Sequence, residues 1–183
     1  MIQDFIKKVG EFHDAFGVER GNVDVELRYK LFKEEFEEYK DAKTLVDKAD
    51  AIVDMLYIAC GTIDLYEWNV SDFELNPYWV SESKTLIKIE HFNEMYRCNP
   101  NPIRSFHFHL IEFLIDLANH NDIKEVLPQL FEEVHLSNLS KLDENGKPII
   151  NDGILDPSKP IGKILKGNNY FEPRLKEILE NGN

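Results

Sequence analysis

Acidic residues in the first third of the chain have the types and spacing of a metal site. The segment 33–42, KEEFEEYKDA, holds five carboxylates, and the apolar segment 51–62, AIVDMLYIACGT, contains Asp54, with Asp50 directly before it. Carboxylates that share one pocket cannot all ionise without compensation, and the common compensation is a hard divalent cation with oxygen ligands, Mg²⁺ or Mn²⁺. Such cations also bind phosphate oxygens, so the pattern points to phosphoryl or nucleotidyl chemistry.

The glutamates of the first segment lie on different faces when the segment is drawn as a helix. At about 100° per residue, Glu34 and Glu38 continue the line of Leu27, Glu35 lies at the edge of that line, and Glu37 lies away from all of them. A solvated surface is the ordinary interpretation of a glutamate-rich helix. The leucine line favours a site instead, because a leucine stripe normally faces another element and unpaired inward carboxylates are costly.

The next helix carries an acidic strip on an otherwise apolar surface. Asp54 is the only charged residue between positions 51 and 63, and Asp50 lies about 40° from it around the helix. Aspartate has a poor helix propensity, so its presence there indicates a role. Helices joined by a very short connection are antiparallel neighbours, which lets this strip face the glutamates of the preceding helix.

The elements that must position these residues are predicted to be mainly helical. Asn22 or Asp24 is the candidate cap of the second helix. Pro128 either lies in the first turns of the last long helix or kinks it, and the tail from Asp143 is rich in turn residues with one small hairpin. Apolar spacings of three and four predict helices over 2–16, 25–42, 44–67, 105–120 and 123–139, one helix near 82–96 in a mostly irregular segment, and a short final helix in EPRLKEILE. The predicted fold class is all-α, as a single domain of residues 1–183.

The overall charge and the two cysteines limit the classes of function. Thirty-four acidic against 21 basic residues give a net charge of −13, which disfavours stable nucleic-acid binding. The longest nearly uncharged apolar run has thirteen residues, short of the ~20 that a membrane-spanning helix needs. With Cys60 and Cys98 as the only cysteines and no signal-peptide pattern, we expect a reduced, cytoplasmic protein without a membrane partner.

Residues 34–38, EEFEE, and Asp54 form a recognisable pair of motifs. The sequence resembles the all-α nucleoside-triphosphate pyrophosphohydrolases, the MazG-like and phosphoribosyl-ATP pyrophosphohydrolase-like superfamily, in which a Glu-Glu-x-x-Glu helix precedes a helix with a Glu-x-x-Asp pair. In place of the second-helix glutamate this chain has Ala51, and Asp50 is the candidate substitute. The segments VGEFHDAFGV, SNLSKLDENGKP and GKILKGNNYFEP look like phage and bacterial members of one MazG-like subgroup, so that the resemblance covers roughly 9–68 and 130–173.

The resemblance implies a fold, an activity and a metal site. The fold is of the four-helix-bundle type, in a homodimer or homotetramer, with residues of about 71–120 as a helical insertion and a loop-rich C-terminal segment of about 140–183. The activity is Mg²⁺-dependent hydrolysis of a (deoxy)nucleoside triphosphate to the monophosphate and pyrophosphate, with Mn²⁺ as the other metal and a metal-bound water as the nucleophile. The metal site consists of Glu34, Glu35, Glu38, Asp50 and Asp54, and Glu35 also orients or deprotonates the water.

The tail offers candidates for binding the triphosphate. Without the resemblance, lysines in a turn-rich tail are as readily plain surface residues. With it, Lys141 and Lys166 are the expected phosphate ligands, ahead of Lys163, while Asn138 is the expected polar contact to base or sugar and Tyr170 the expected stacking group.

A second hypothesis belongs to a different class of protein. The charge of −13 is also typical of an acidic helical protein that mimics nucleic acid and occupies a DNA-binding partner without catalysis. A mimic needs its carboxylates spread over the outer surface. The sequence places Glu34, Glu38, Asp50 and Asp54 on faces that otherwise carry leucine and isoleucine, which favours the enzyme.

Overall fold

The protein is a packed set of helices with a loop-rich tail. The computed structural model describes residues 1–71, 80–98 and 104–182, the last three residues of the second range by their backbone only. Within these ranges there is no β-strand, and the predicted hairpin is reduced to one antiparallel bridge between Ile150 and Ile164. The predicted all-α class is confirmed. The helices are α1 (Ile2–Ala15), α2 (Val25–Asp41), α3 (Leu45–Leu65), α4 (Glu82–Cys98), α5 (Arg104–His120), α6 (Leu127–Leu139) and α7 (Leu175–Asn181).

Side-chain caps fix the starts of the two acidic helices. Asp24, one of the two predicted caps, accepts a hydrogen bond from the Leu27 N–H at 2.9 Å. At the start of α3, Thr44 accepts from the Asp47 N–H at 3.1 Å, and Asp47 accepts from the Thr44 N–H at 3.0 Å. This reciprocal capping box satisfies two backbone donors and stops the chain from continuing α2, so α3 folds back after a three-residue link.

The central element is α3, which packs against α1, α2, α5, α6 and α7. Thirteen of its 21 residues are buried, so a charged residue on this helix is an exception. Arg28, near the start of α2, donates to the backbone carbonyl of Ile58 and, at 3.1 Å, to Thr62 Oγ1 near the end of α3. The two helices are therefore antiparallel, as the short link predicts.

Helices α4 and α5 lie in the segment predicted as an insertion. The predicted helix near 82–96 is found as α4, which packs on α5 and α2, while α5 packs on α3. Residues from both, such as Ile89, Ile111 and Leu114, belong to the same apolar core as α3. These two helices therefore cover one side of the α2 and α3 pair. The remainder of the predicted irregular segment, 72–79 and 99–103, lies outside the described residues.

The chain after α6 returns across the acidic helices. α6 begins at Leu127, four residues later than predicted, with Pro128 as its second residue, where a missing N–H costs no helical hydrogen bond. The following loops contact α2 at Glu34 and Leu27, and α7 then packs on α3 and α6. The tail thereby closes the open side of the groove between α2 and α3.

Candidate active site

Four carboxyl groups converge between α2 and α3, and we call Glu35, Glu38, Asp50 and Asp54 the carboxylate cluster. Burial, with the negative charges of Asp54 and Glu38, raises the pKa of Glu35 to about 9. Burial and the charge of Asp50 raise the pKa of Asp54 to about 7. Burial and the charge of Glu38 also raise the pKa of Asp50. The groups are linked through their charges, because the charge of Glu38 acts on Glu35, Asp50 and Asp54, and that of Asp50 acts on Asp54.

The face that α2 buries explains why Glu35 has the most strongly raised pKa. The buried residues of α2 are aromatic, and the leucine line, which was predicted to face another element, is only half-buried. Phe32 and Phe36, about 140° and 180° from Leu27, take the core position because they bury more area. Glu35 borders that aromatic face, and it is therefore drawn inward. The fully buried side chains of α2 are Tyr29, Phe32, Phe36 and Tyr39.

The leucine line of α2 instead lies under the tail, and this changes the surroundings of Glu34. Lys159 Nζ donates to Glu34 at 2.8 Å, and Lys163 Nζ donates to its other carboxylate oxygen. Burial would raise the pKa of Glu34, but these two ion pairs outweigh burial and lower it. Glu34, predicted as a metal ligand, therefore pairs with two lysines of the tail in this structure, and its charge also contributes to the raised pKa of Glu35.

Lys141 lies against the cluster in a nearly buried position. Burial lowers its pKa, and the nearby Asp54 carboxylate opposes that effect. Its Nζ donates to Asn138 Oδ1, and Asn138 in turn hydrogen-bonds the hydroxyl of Tyr57. Asn138, predicted to contact base or sugar, is 7% exposed and holds Lys141 instead. The sequence could not distinguish these roles, because a residue three positions from a lysine supports it only if both side chains turn the same way.

Lys166 and Tyr170 lie together on the tail. The Lys166 ammonium lies 4.2 Å from the centre of the Tyr170 ring, a cation–π contact, and Lys166 is close enough to Asp50 to oppose the rise in its pKa. Between them, the Gly167 N–H donates to the Lys141 carbonyl at 3.1 Å. A side chain at Gly167 would place its Cβ 2.6 Å from the Leu142 carbonyl oxygen, so only glycine lets the segments that carry the two lysines cross this closely.

Asn151 organises the loop that carries Lys159 and Lys163, and sequence reasoning missed this residue. It is 1% exposed, and its amide donates to the carbonyls of Asp156 and Lys159 at 2.9 Å and of Pro160 at 3.1 Å. Its Oδ1 accepts from two backbone N–H groups of the same loop. Asparagine beside Asp and Gly predicts a turn, and only the fold shows that the turn aims two lysines at α2.

The position of the missing family glutamate is part of the core. Ala51 is 2% exposed and packs among the apolar residues of α3 and its neighbours. Asp50, one residue earlier, is half-exposed and borders Glu38, Lys141 and Lys166. Asp50, and not Ala51, is therefore the residue at this turn of α3 that contributes a carboxyl group to the groove.

The donor set of the cluster suits a hard divalent cation. Within the ranges described, no three His, Cys, Asp or Glu side chains are arranged closely enough to hold a metal ion. The chemistry of the cluster fits one nevertheless, because its potential donors are all carboxylate oxygens. Burial, together with the charges of neighbouring carboxylates, raises the pKa of Glu35 and of Asp54, and a bound cation would favour their ionised forms. Glu35, Glu38, Asp50 and Asp54 are the residues that would hold it.

Comparison with known proteins finds one family model that matches the part of the chain with the acidic helices. The model of the phosphoribosyl-ATP pyrophosphohydrolase family matches residues 4–73, which span α1, α2 and α3. This family typically depends on a divalent metal. No curated protein and no solved structure gives a significant match. None of the described helices combines the length and apolar character required to cross a membrane.

Proposed function

Because residues 4–73 belong to the MazG-like, all-α NTP pyrophosphohydrolase superfamily, whose activity is nucleotide pyrophosphohydrolysis, we propose a specific reaction for this protein. The reaction is the Mg²⁺-dependent hydrolysis of a (deoxy)nucleoside triphosphate to the nucleoside monophosphate and pyrophosphate. The observation that carries the proposal is the carboxylate cluster, in which four acidic side chains share one groove with Lys141 at its edge.

The cluster favours a cation over a purely structural role. A divalent cation would supply neutralisation of the phosphate charge and a water of lowered pKa. Asp54 and Asp50 on α3, with Glu38 on α2, are the proposed ligands. Glu35 is half-buried on α2 beside Asp54 and, once positive charge near it favours its ionised form, it is the group that accepts a proton from the attacking water.

Lysines on the opposite side of the groove suit a polyphosphate chain. Lys141 and Lys163 both favour the ionised form of Asp54, and Lys166 favours that of Asp50, so three ammonium groups lie near the carboxylate cluster. Asn138 holds Lys141 in place, which keeps a compact donor where a phosphate oxygen would lie. Lys163 joins this set because the tail brings it there, although the sequence favoured its neighbour Lys166.

The direction of the carboxyl groups argues against the nucleic-acid mimic. A mimic presents its charges to a partner on an outer surface, where solvation leaves their pKa values near the ordinary range. Glu35 and Asp54 instead have pKa values raised mainly by burial.

The test is incubation with each common NTP and dNTP and Mg²⁺, scored for monophosphate and pyrophosphate. We expect Asp54→Asn and Glu38→Gln to lower kcat/KM by at least about 100-fold, since each removes a proposed ligand from a metal worth several kcal/mol to the transition state. The matched control is Glu37→Gln, because Glu37 is an exposed residue of the same helix whose carboxylate pairs with Lys40.

Three results would contradict the proposal. The first is that the wild type releases no pyrophosphate from any nucleotide. The second is that the Asp54→Asn and Glu38→Gln variants have the same kcat/KM as the wild type. The third is that activity persists unchanged in a chelator. A loss in Glu37→Gln as large as in Glu38→Gln would show that the effect comes from the charge of α2 as a whole.

A further inference from the structure

Five polar side chains in contact lead from the carboxylate cluster toward α1, and we call them the polar network. It begins at Lys141, whose Nζ donates to Asn138 Oδ1, and Asn138 hydrogen-bonds the hydroxyl of Tyr57 on α3. That hydroxyl lies 3.0 Å from Nδ1 of His135 on α6, and Nε2 of His135 lies 3.7 Å from a carboxylate oxygen of Glu11 on α1. The polar network therefore joins the groove between α2 and α3 to an exposed residue of α1.

The three inner members of the polar network are buried. They are Asn138, Tyr57 and His135, and His135 is only 3% exposed. The ring of Tyr57 packs between Phe131, at 5.4 Å between ring centres, and Phe12, at 5.7 Å, which fixes the place of its hydroxyl. Buried polar groups need partners, so each of the three must use the donors and acceptors that its neighbours in the polar network provide.

These donors and acceptors fix one direction for the hydrogen bonds. Lys141 has only donors, so Asn138 must present Oδ1 to Lys141 and Nδ2 to Tyr57. The Tyr57 oxygen then accepts from Asn138, and its own proton is donated to Nδ1 of His135. This assigns the ring proton of His135 to Nε2, which faces the carboxylate of Glu11. In this arrangement each hydrogen bond has one donor and one acceptor.

The directions of two pKa shifts agree with this assignment. Burial raises the pKa of Tyr57, and the hydrogen bond with Asn138 opposes the rise, as a donor to the hydroxyl oxygen does. Burial is also the largest cause of the lowered pKa of His135, so the neutral ring is favoured. A neutral imidazole has one acceptor nitrogen, which is what the Tyr57 hydroxyl requires.

The acceptor on His135 determines which way the Asn138 amide points. Without it, the proton of the Tyr57 hydroxyl would be donated to Asn138 Oδ1, and the amide would turn its NH2 group toward the ammonium of Lys141. Two donor groups that face each other repel, so the ammonium would leave its place beside the cluster. Lysine has a flexible four-carbon stem, and the position of its charge therefore depends on contacts of this kind.

We propose that His135 and Tyr57 are positioning residues, which keep the Asn138 amide in the orientation that holds the Lys141 ammonium beside the carboxylate cluster. The proposal rests on the proposed function for the role of Lys141, which is to meet the phosphate oxygens of the triphosphate. His135 and Tyr57 act only through Asn138.

The experiment exploits the two nitrogen positions of the His135 ring. In His135→Asn the amide reaches the place of Nδ1 and accepts from Tyr57, whereas in His135→Gln it reaches the place of Nε2 and does not. Tyr57→Phe removes the hydroxyl and keeps the packed ring. In steady-state kinetics with Mg²⁺ and the best nucleotide, we expect kcat/KM to fall about tenfold in His135→Gln and Tyr57→Phe, and to stay within about twofold of the wild type in His135→Asn.

Two control variants leave the centre of the polar network intact. Tyr66 ends the same helix as Tyr57 and lies about 18 Å beyond Asp54 along the helix axis, so Tyr66→Phe should keep the wild-type kcat/KM. Glu11→Gln keeps an acceptor for Nε2 of His135 and should have the same kcat/KM as the wild type.

The reactivity of Lys141 gives a readout that does not depend on hydrolysis. Trace acetylation of the full-length protein with acetic anhydride, followed by mass spectrometry of its peptides, compares Lys141 with Lys176, which is 74% exposed on α7. We expect the relative rate at Lys141 to rise at least about fivefold in His135→Gln and Tyr57→Phe, because a lysine that loses its buried position becomes accessible. In His135→Asn it should stay near the wild-type rate.

The outcomes separate the two proposals. Thermal unfolding shows whether each variant is folded, and Tyr57→Phe alone decides if the His135 variants are not. While the wild type hydrolyses nucleotides, the positioning proposal needs both a lower kcat/KM and faster labelling of Lys141 in folded Tyr57→Phe. Either effect alone, or neither, overturns the positioning proposal and leaves the proposed function standing.

Two further results are decisive. A folded His135→Asn that is as defective as His135→Gln overturns the positioning proposal, because His135 would then act through its packing. If the wild type hydrolyses no nucleotide, the proposed function fails, and the labelling alone decides whether His135 and Tyr57 position Lys141.

Discussion

The strongest single prediction concerns the buried carboxyl of Glu35. The Glu35→Gln substitution keeps the shape of the side chain and removes its charge. In the unfolded chain Glu35 releases its proton near its ordinary pKa of 4.5, and in the folded, metal-free protein it does so near about 9. Between these pH values the unfolded state binds fewer protons, so rising pH favours unfolding of the wild type. Glu35→Gln lacks this penalty and should be the more stable protein above pH 4.5.

The expected size of the effect follows from the pKa. Each pH unit between the two pKa values costs about 1.4 kcal/mol, or about 4 kcal/mol by pH 7.5 if Glu35 carried the whole shift. The pKa of the neighbouring Asp54 is raised as well, and Lys163 opposes the rise at Glu35, so we expect about half of this value, ~2 kcal/mol. The advantage of Glu35→Gln should be absent at pH 4 and present at pH 7.5.

Urea unfolding of both proteins in a chelator, at pH 4, 6, 7.5 and 9, measures the difference directly. Glu37→Gln should follow the wild type at every pH, because Glu37 is exposed and pairs with Lys40. Mg²⁺ should stabilise the wild type increasingly as pH rises, since binding releases protons from the cluster, and should stabilise Glu35→Gln less. A stability difference between wild type and Glu35→Gln that did not change with pH would refute the argument.

Three further predictions test the tail and α3. Asn151→Ala removes five hydrogen bonds from the loop that positions Lys163. We expect an unchanged melting temperature of the helical core, faster proteolysis within 151–163 and a kcat/KM lowered by about tenfold. Asn145→Ala is the control. Lys163→Met should raise KM for the triphosphate in steady-state kinetics, because Lys163 lies close enough to the cluster to act on Asp54. Lys40→Met is the control and should leave KM unchanged. Equal effects of the two substitutions would show that only the net charge matters. Ala51→Glu restores the family glutamate and should lower the free energy of unfolding in urea by about 2–4 kcal/mol, because Ala51 is in the core. If the variant were as stable as the wild type and bound Mg²⁺ more tightly, the new glutamate would reach the carboxylate cluster and this prediction would be wrong.

The local elements were largely predictable because they depend on residues near in sequence. The periodicity of apolar residues located the long helices of the described residues. The start of α2 after Asp24 was predicted correctly, whereas α6 begins four residues later than predicted, with Pro128 in its first turn. The short link after α2 predicted the antiparallel pair, and the pair brings Glu35 beside Asp54. What the periodicity could not decide was which of two apolar stripes on α2 faces the core.

The choice between those stripes was a matter of tertiary packing. The aromatic stripe of Phe32 and Phe36 won the core position, which drew Glu35 inward and left the leucine line to the tail. The consequence for Glu34 was two lysine partners more than 120 positions away along the chain. No helical projection contains such contacts, because they depend on the path of a loop.

The sequence by itself determined the helices, their order and the presence of acidic residues on two adjacent helices, because hydrophobic spacing and capping act within a few residues. Only the tertiary structure decided which carboxyls share one environment, that Asn138 supports Lys141, and that His135, which lies outside the family match, contacts Tyr57 on α3. The physical reason is that burial and charge coupling, which set the pKa values and the partners of these groups, depend on neighbours brought close by folding from distant parts of the chain.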